Sequence, residues 1–175
     1  MARSSASIAV ARTPMAARLI VRGGDRAVAS MGEAFGVALP RDACRARIAG
    51  ERAALWLGPD EWLLIAPGSG GEELLHELTE ALGQEPASIV DVSHRQVGIT
   101  VAGPEGVGAL NSFNALDLAE SAFPVGMCTR TLFGKAEIVL WRTAREAFRI
   151  EVWRSFAPYV MDCLEEAITD PSLAG

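Results

Sequence analysis

In one stretch of the chain an acid, a hydroxyl, an imidazole and a guanidinium fall together: Asp91-Val92-Ser93-His94-Arg95. Such a set could supply a nucleophile, a base and a charge clamp. Successive residues of a strand point to opposite faces, however, so a regular strand cannot aim Ser93 and His94 at one substrate. The apolar residues also change phase here, from even positions at Val90 and Val92 to odd ones at Val97, Ile99 and Val101. One regular strand cannot bury both sets, so a bulge or tight turn is expected within residues 93–96. Such an irregular backbone uses nearby polar side chains to satisfy its unpaired groups. The cluster therefore reads as structural, or as interface, rather than catalytic, with His94 and Arg95 as candidate partner contacts.

The remaining chemistry is sparse. No G-x-G-x-x-G, G-x-x-x-x-G-K-[ST] or G-x-S-x-G occurs, so phosphate cradling and a hydrolase elbow lack support. The second histidine, His76, falls on the polar face of an expected helix, and two histidines on separate elements do not make a metal site. Cys44, Cys128 and Cys163 are odd in number and contain no C-x-x-C pair, which suits free thiols in a reducing compartment. Cys128 beside Arg130 could be a reactive thiol, but a small buried residue at a strand start is the simpler reading. No catalytic, cofactor-binding or metal-ligating residue is expected.

Aromatic and arginine side chains together are favoured at protein interfaces. Trp141-Arg142 and Trp153-Arg154 put both types at the ends of neighbouring strands, and Arg130 lies on the strand expected before them. These five residues, with His94 and Arg95, form the set of candidate partner contacts. Trp56 and Trp62 also fall on strands, and at least two of the four tryptophans are expected in the core.

Several elements must position these residues. An apolar run at 17–22 ending in Gly23-Gly24 predicts a strand, followed by a helix over 25–35 with Val28, Met31 and Phe35 on one face and Gly36 as its stop. Runs at 53–57 and 62–66 around Gly58-Pro59-Asp60 predict a hairpin. Ser69 and Glu72 have capping-box spacing ahead of Leu74, Leu75, Leu78 and Leu82, which repeat at helical intervals before Gly83. A short helix is expected from Gly103-Pro104, with Pro104 in its first turn. Runs at 129–133, 136–141 and 148–152 predict a three-stranded meander, and Ser155 would cap a last helix with Phe156, Val160, Leu164 and Ile168 on one face.

Helices thus alternate with antiparallel hairpins rather than single strands. The class expected is α+β with two sheet-and-helix subdomains, not a doubly wound nucleotide fold. The expected division is an N-terminal arm over 1–16, a first subdomain over 17–110 and a second over 111–175, entered through a linker around 111–123.

A chain of 175 residues, half of them apolar, can bury one shared core. A net charge of −6 argues against nucleic-acid binding, since a phosphate-holding surface must be concentrated and basic. The one local cluster, Arg41, Arg45, Arg47 and Arg52, reads as a solvated edge. Four arginines and no acid precede Asp25, but the apolar runs there are too short for a secretory signal and no targeting role is assigned. No run approaches the roughly 20 apolar residues of a membrane span, and a soluble, cytoplasmic protein is expected.

The stretches LGPDEWLLIAP, VDVSHRQVGITVAGPEG, LDLAESAFPVGMCTRTLFGKAEIVLWR and EVWRSFAPYVMDCLEEA together resemble the gamma subunit of heterotetrameric sarcosine oxidase, in order, over about residues 57–167. The resemblance implies a fold akin to the folate-binding domains of the glycine-cleavage T-protein and TrmE type. It implies a non-catalytic subunit in a complex of sarcosine catabolism that oxidatively demethylates sarcosine to glycine. It further implies that FAD, FMN, NAD and tetrahydrofolate belong to the alpha and beta subunits and zinc to the delta subunit, with the alpha subunit as direct partner. A free-standing folate-binding or aminomethyltransferase-like protein is the alternative. An iron–sulfur maturation factor of related fold comes last, because its Lys-Gly-Cys-Tyr-like segment is missing near Cys128.

Overall fold

A computed structural model describes residues 3–5 and 8–169. The elements run β1 (Arg3–Ser5), β2 (Ile8–Arg12), β3 (Ala16–Gly23), α1 (Asp25–Phe35), β4 (Ala46–Ala49), β5 (Arg52–Gly58), β6 (Glu61–Pro67) and α2 (Gly71–Leu82). They continue with β7 (Ala87–Asp91), β8 (Gln96–Ala102), α3 (Gly106–Asn111), β9 (Cys128–Phe133), β10 (Ala136–Ala144), β11 (Ala147–Trp153) and α4 (Ala157–Thr169). The class is α+β with two antiparallel sheets. The chain divides into two compact units, Pro14–Arg95 and a second made of residues up to Thr13 with those from Gln96 onward.

In the unit Pro14–Arg95 the sheet order is β4-β5-β6-β3-β7, all antiparallel. Alternation along β3 and β6 sends Leu19, Val21, Trp62 and Leu64 to one face. There they meet Val28, Met31 and Phe35 of α1 and Leu74 and Leu78 of α2, the positions that helical spacing predicted. Gly36 ends α1 at φ 72°, where a residue with a Cβ would be strained. The expected hairpin forms as β5 and β6, with Trp56 opposite Trp62, whose Nε1 donates to Pro40 O at 2.7 Å.

The capping box does not form. The residue before α2 is Gly70 and no side chain caps the helix. A carboxylate reaches this end from elsewhere in the unit: a Cβ on Gly71 would lie 2.5 Å from Asp91 Oδ2 and 2.8 Å from Ser93 Oγ. Asp91, far away in sequence, complements the positive end of the helix in place of a local cap.

The other unit has the sheet order β1-β2-β8-β11-β10-β9. The meander β9-β10-β11 forms as expected, with Trp141 opposite both Cys128 and Arg149. Its core joins Ile99, Val101, Ile138, Leu140, Phe148, Ile150 and Val152 to Ala109 and Leu110 of α3 and to Val160 and Leu164 of α4. Phe156 lies ahead of α4 and is 41% exposed, so the buried series starts at Val160. Pro104 likewise precedes α3 rather than opening it.

The phase change near residue 93 has a larger cause than a bulge. β7 belongs to one sheet and β8 to the other, and residues 93–95 make the turn between them. The boundaries therefore differ from the expected arm at 1–16 and break at 110. Residues 9–12 of the arm pair with β8, and β8 pairs with β11, which places β8 and α3 with the later elements. Residues 1, 2, 6 and 7 of that arm lie outside the described residues. Pairing between strands some ninety positions apart leaves no trace in local periodicity. The expected linker is also different in kind: residues 112–127 run from α3 to β9 inside this unit and bury Leu118 and Phe123 in its core.

Candidate functional site

The cluster at 91–95 is held by its own backbone and by β3. Asp91 Oδ1 accepts from Ser93 N at 2.7 Å, closing a local turn. Ser93 Oγ accepts from Arg18 N at 2.9 Å and lies 3.5 Å from Arg18 O, while Val92 N donates to Arg18 O at 2.8 Å. The hydroxyl is thus committed to the main chain of a neighbouring strand. Arg95 N donates to Val92 O at 3.0 Å, and the side chains of His94 and Arg95 are exposed. The acid, hydroxyl and imidazole are adjacent in sequence without forming a relay: two are structural and one faces solvent.

The two Trp-Arg pairs do not meet. Trp141 and Trp153 share one face of the sheet, but β10 and β11 are antiparallel. Trp141 is opposite Arg149, four residues before Trp153, so the pairs sit roughly 13 Å apart along the strand at opposite ends of the hairpin. Trp141 is 5% and Arg142 4% exposed, which removes both from the accessible surface. Trp153 is 44% exposed, and Arg154 and Phe156 beside it are exposed as well. Arg130 is exposed on β9, opposite Val139.

Arg142 has a different task from the one its sequence context suggested. It lies on the core side of β10 because it continues the alternation of Ile138 and Leu140. Its Nη1 donates to Leu118 O at 3.1 Å and Phe123 O at 2.8 Å, and its Nε and Nη2 donate to Arg145 O at 3.1 and 2.5 Å. The guanidinium also sits 5.0 Å from the centre of the Phe148 ring. Five donors in a planar fork let one buried cation satisfy several main-chain acceptors at once.

Two further polar features escaped sequence reading. Glu151 is 1% exposed and accepts from Arg149 Nε at 2.7 Å. A Cβ at Gly98, its cross-strand neighbour, would come within 2.9 Å of that carboxylate and 2.4 Å of Thr13 Oγ1. The only hint was a pair of opposite charges, Arg149 and Glu151, alternating with the apolar residues of the run Phe148 to Val152. Asn114 donates through Nδ2 to Leu132 O at 2.8 Å and so covers part of the outer edge of β9.

His76 is exposed on α2, 3.4 Å from Glu80, beside an open cleft lined by Ser69, Gly70, Glu72 and Glu73. Among the described residues no three His, Cys, Asp or Glu side chains gather as metal ligands. Cys128 and Cys163 are buried free thiols and Cys44 is half-buried. Arg41, Arg45 and Arg47 are exposed, Arg41 pairing with Asp25, whereas Arg52 Nη1 donates to Phe35 O at 2.9 Å. An exposed ion pair with Asp60, at 2.8 Å, raises the pKa of Arg22, chiefly through the hydrogen bond between them. No helix among the described residues is long and apolar enough to cross a membrane.

A family model described as sarcosine oxidase, gamma subunit family, matches residues 22–170. The sarcosine oxidase subunit gamma of Corynebacterium sp. (strain P-1) is 34% identical over 150 residues, which cover 84% of this chain and 72% of that one. Among solved structures, a chain of the heterotetrameric sarcosine oxidase from Corynebacterium sp. U-96, in complex with pyrrole 2-carboxylate, superimposes with a TM-score of 0.86 at 30% identity over 93% of this chain and 84% of that one. The glycine cleavage system aminomethyltransferase T from Bartonella henselae shares the fold with a TM-score of 0.71 at 14% identity, covering 91% of this chain and 45% of that one.

Proposed function

Because the chain belongs to the sarcosine oxidase gamma subunit family, we propose that it acts as the non-catalytic gamma subunit of a heterotetrameric sarcosine oxidase, supporting oxidative demethylation of sarcosine to glycine by its partners. The observation that carries this reading is the superposition on a chain of such a complex over 93% of the present one. The internal geometry supports it. The hydroxyl of Ser93 and the guanidinium of Arg142 are engaged by the chain's own carbonyls and amides, so neither is poised for a substrate.

In this reading the flavins FAD and FMN, NAD, tetrahydrofolate and zinc reside on the other subunits, and the alpha subunit is the direct partner, in the cytoplasm. The contact residues are the exposed members of the sequence-derived set: His94, Arg95, Arg130, Trp153 and Arg154. Exposed aromatic and arginine side chains of this kind anchor protein interfaces when a partner desolvates them. Co-expression with the flavoprotein subunits tests the proposal. The chain is expected to co-elute with them, and sarcosine oxidation is expected from the assembly but not from this chain alone. A chain that purifies alone and never associates refutes it.

The likeness to the aminomethyltransferase gives the alternative, a free-standing folate-binding protein, its one support, and at 14% identity that support is to the fold. Titration of the isolated chain with tetrahydrofolate separates the two readings. No heat and no fluorescence change is the outcome expected of a gamma subunit.

A further inference from the structure

We propose that residues 115–125 form a plug in the core of the six-stranded unit, opening as one piece between fixed ends and latched shut by Arg142. The ends are pinned to the sheet. At one, Gly134 N donates to Phe113 O at 2.7 Å, and Asn114 Nδ2 to Leu132 O at 2.8 Å. At the other, Gly126 N donates to Arg142 O and Arg142 N to Met127 O, both at 2.9 Å.

Between these pins there is neither helix nor strand. The segment closes turns upon itself: Ala119 N donates to Asp117 Oδ1 at 2.9 Å, and Ala122 N and Phe123 N donate to Ala119 O at 3.0 and 2.8 Å. Among the described residues, the hydrogen bonds that reach it from the sheet come from one atom. Arg142 Nη1 donates to both Leu118 O and Phe123 O. The one ion pair, Glu120 with Arg145 at 3.7 Å, is exposed and weak.

The same two residues whose carbonyls Arg142 holds also carry the plug's most deeply buried side chains. Leu118 is 0% and Phe123 2% exposed, and both belong to the core. Opening the segment therefore removes these two side chains, the partly buried Leu116 packed on the same core and one set of cation-to-carbonyl bonds together, while every strand ladder of the sheet stays intact. Segments tied at few points open below the free energy of global unfolding, as cooperative units. Every acceptor of the guanidinium named above is a carbonyl of the plug or of the β10–β11 turn, so the latch is one charged fork reading one loop conformation.

Amide hydrogen exchange on the full-length chain tests this. In the wild type, the Ala122 and Phe123 amides are expected to exchange with a shallow dependence on low urea, because opening exposes only the plug's own surface, while the β10–β11 ladder amides follow the steeper slope of global unfolding. In Arg142→Met, which keeps an apolar stem but loses the fork, exchange across 116–125 is expected to accelerate by about tenfold or more, with ladder amides changing several-fold less. Equal acceleration of plug and ladder would show Arg142 to be an ordinary core residue and overturn the proposal, as would no acceleration in the plug. Should Arg142→Met fail to fold, the wild-type urea profile still decides: plug amides that exchange only with the global transition refute a separately opening unit.

Discussion

The same dipeptide occurs at both ends of the β10–β11 hairpin, and its two copies have opposite fates. Trp141-Arg142 is buried, with its guanidinium holding the segment 115–125, whereas Trp153-Arg154 lies at the strand's end with the indole 44% exposed. Composition does not separate them, and neither does propensity. What separates them is what comes after: Arg142 stays on the core side of β10 and meets a loop arriving from 24 residues earlier, while Arg154 starts the turn into α4. A residue pair typical of interfaces is thus used once to organise the inside of the unit and once to furnish its surface.

The strongest way to break this comparison is at Trp141. Trp141→Ala should cost about 3–5 kcal/mol of unfolding free energy, the range for removing a buried aromatic side chain, measured by urea denaturation of the purified chain. The indole Nε1 has no hydrogen-bond partner among the described residues, so Trp141→Phe, which removes that orphan donor while keeping an aromatic ring, should cost markedly less. Equal losses from the two substitutions would mean that a phenyl ring cannot fill the site and that the full indole shape is what packs there.

Arg142→Lys comes next, at about 1–3 kcal/mol, because an ammonium keeps the charge but cannot span the carbonyls of Leu118, Phe123 and Arg145 from separate nitrogens. If opening of the 115–125 segment is independent of global unfolding, the measured loss has a ceiling set by that opening. A loss well above this range would argue that loop and sheet melt together.

Local spacing made much of this molecule legible. The faces of α1 and α2, the β5–β6 hairpin, the β9–β11 meander and the irregularity at 93–95 follow from period, turn residues and a phase change. What could not be read was pairing at long range. The partnership of β2 with β8 moved the unit boundary, and Asp91 took the role at the start of α2 that Ser69 has the right spacing to play. The site shows the same limit. The tight turn at 93–95 was legible in the phase change, but the inward turn of Arg142 depends on a loop whose path over β10 no local pattern records.

The smallest expected effect on stability falls on the other copy of the dipeptide, and it sharpens the comparison most. Trp153→Ala removes a side chain already 44% exposed in the chain, so unfolding free energy should fall by no more than about 1 kcal/mol. Association is a separate quantity. An exposed indole next to Arg154 and Phe156 that becomes desolvated by a partner subunit should behave as an interface anchor, with its truncation weakening binding by about 2 kcal/mol, or roughly thirtyfold in Kd. Pull-down with the flavoprotein subunits, run beside urea denaturation of the same variant, reads both quantities. Weak binding with intact stability assigns this corner to the interface. Unchanged binding assigns the contact to His94, Arg95 or Arg130 instead, because a desolvated tryptophan at an interface centre is rarely neutral when cut to alanine.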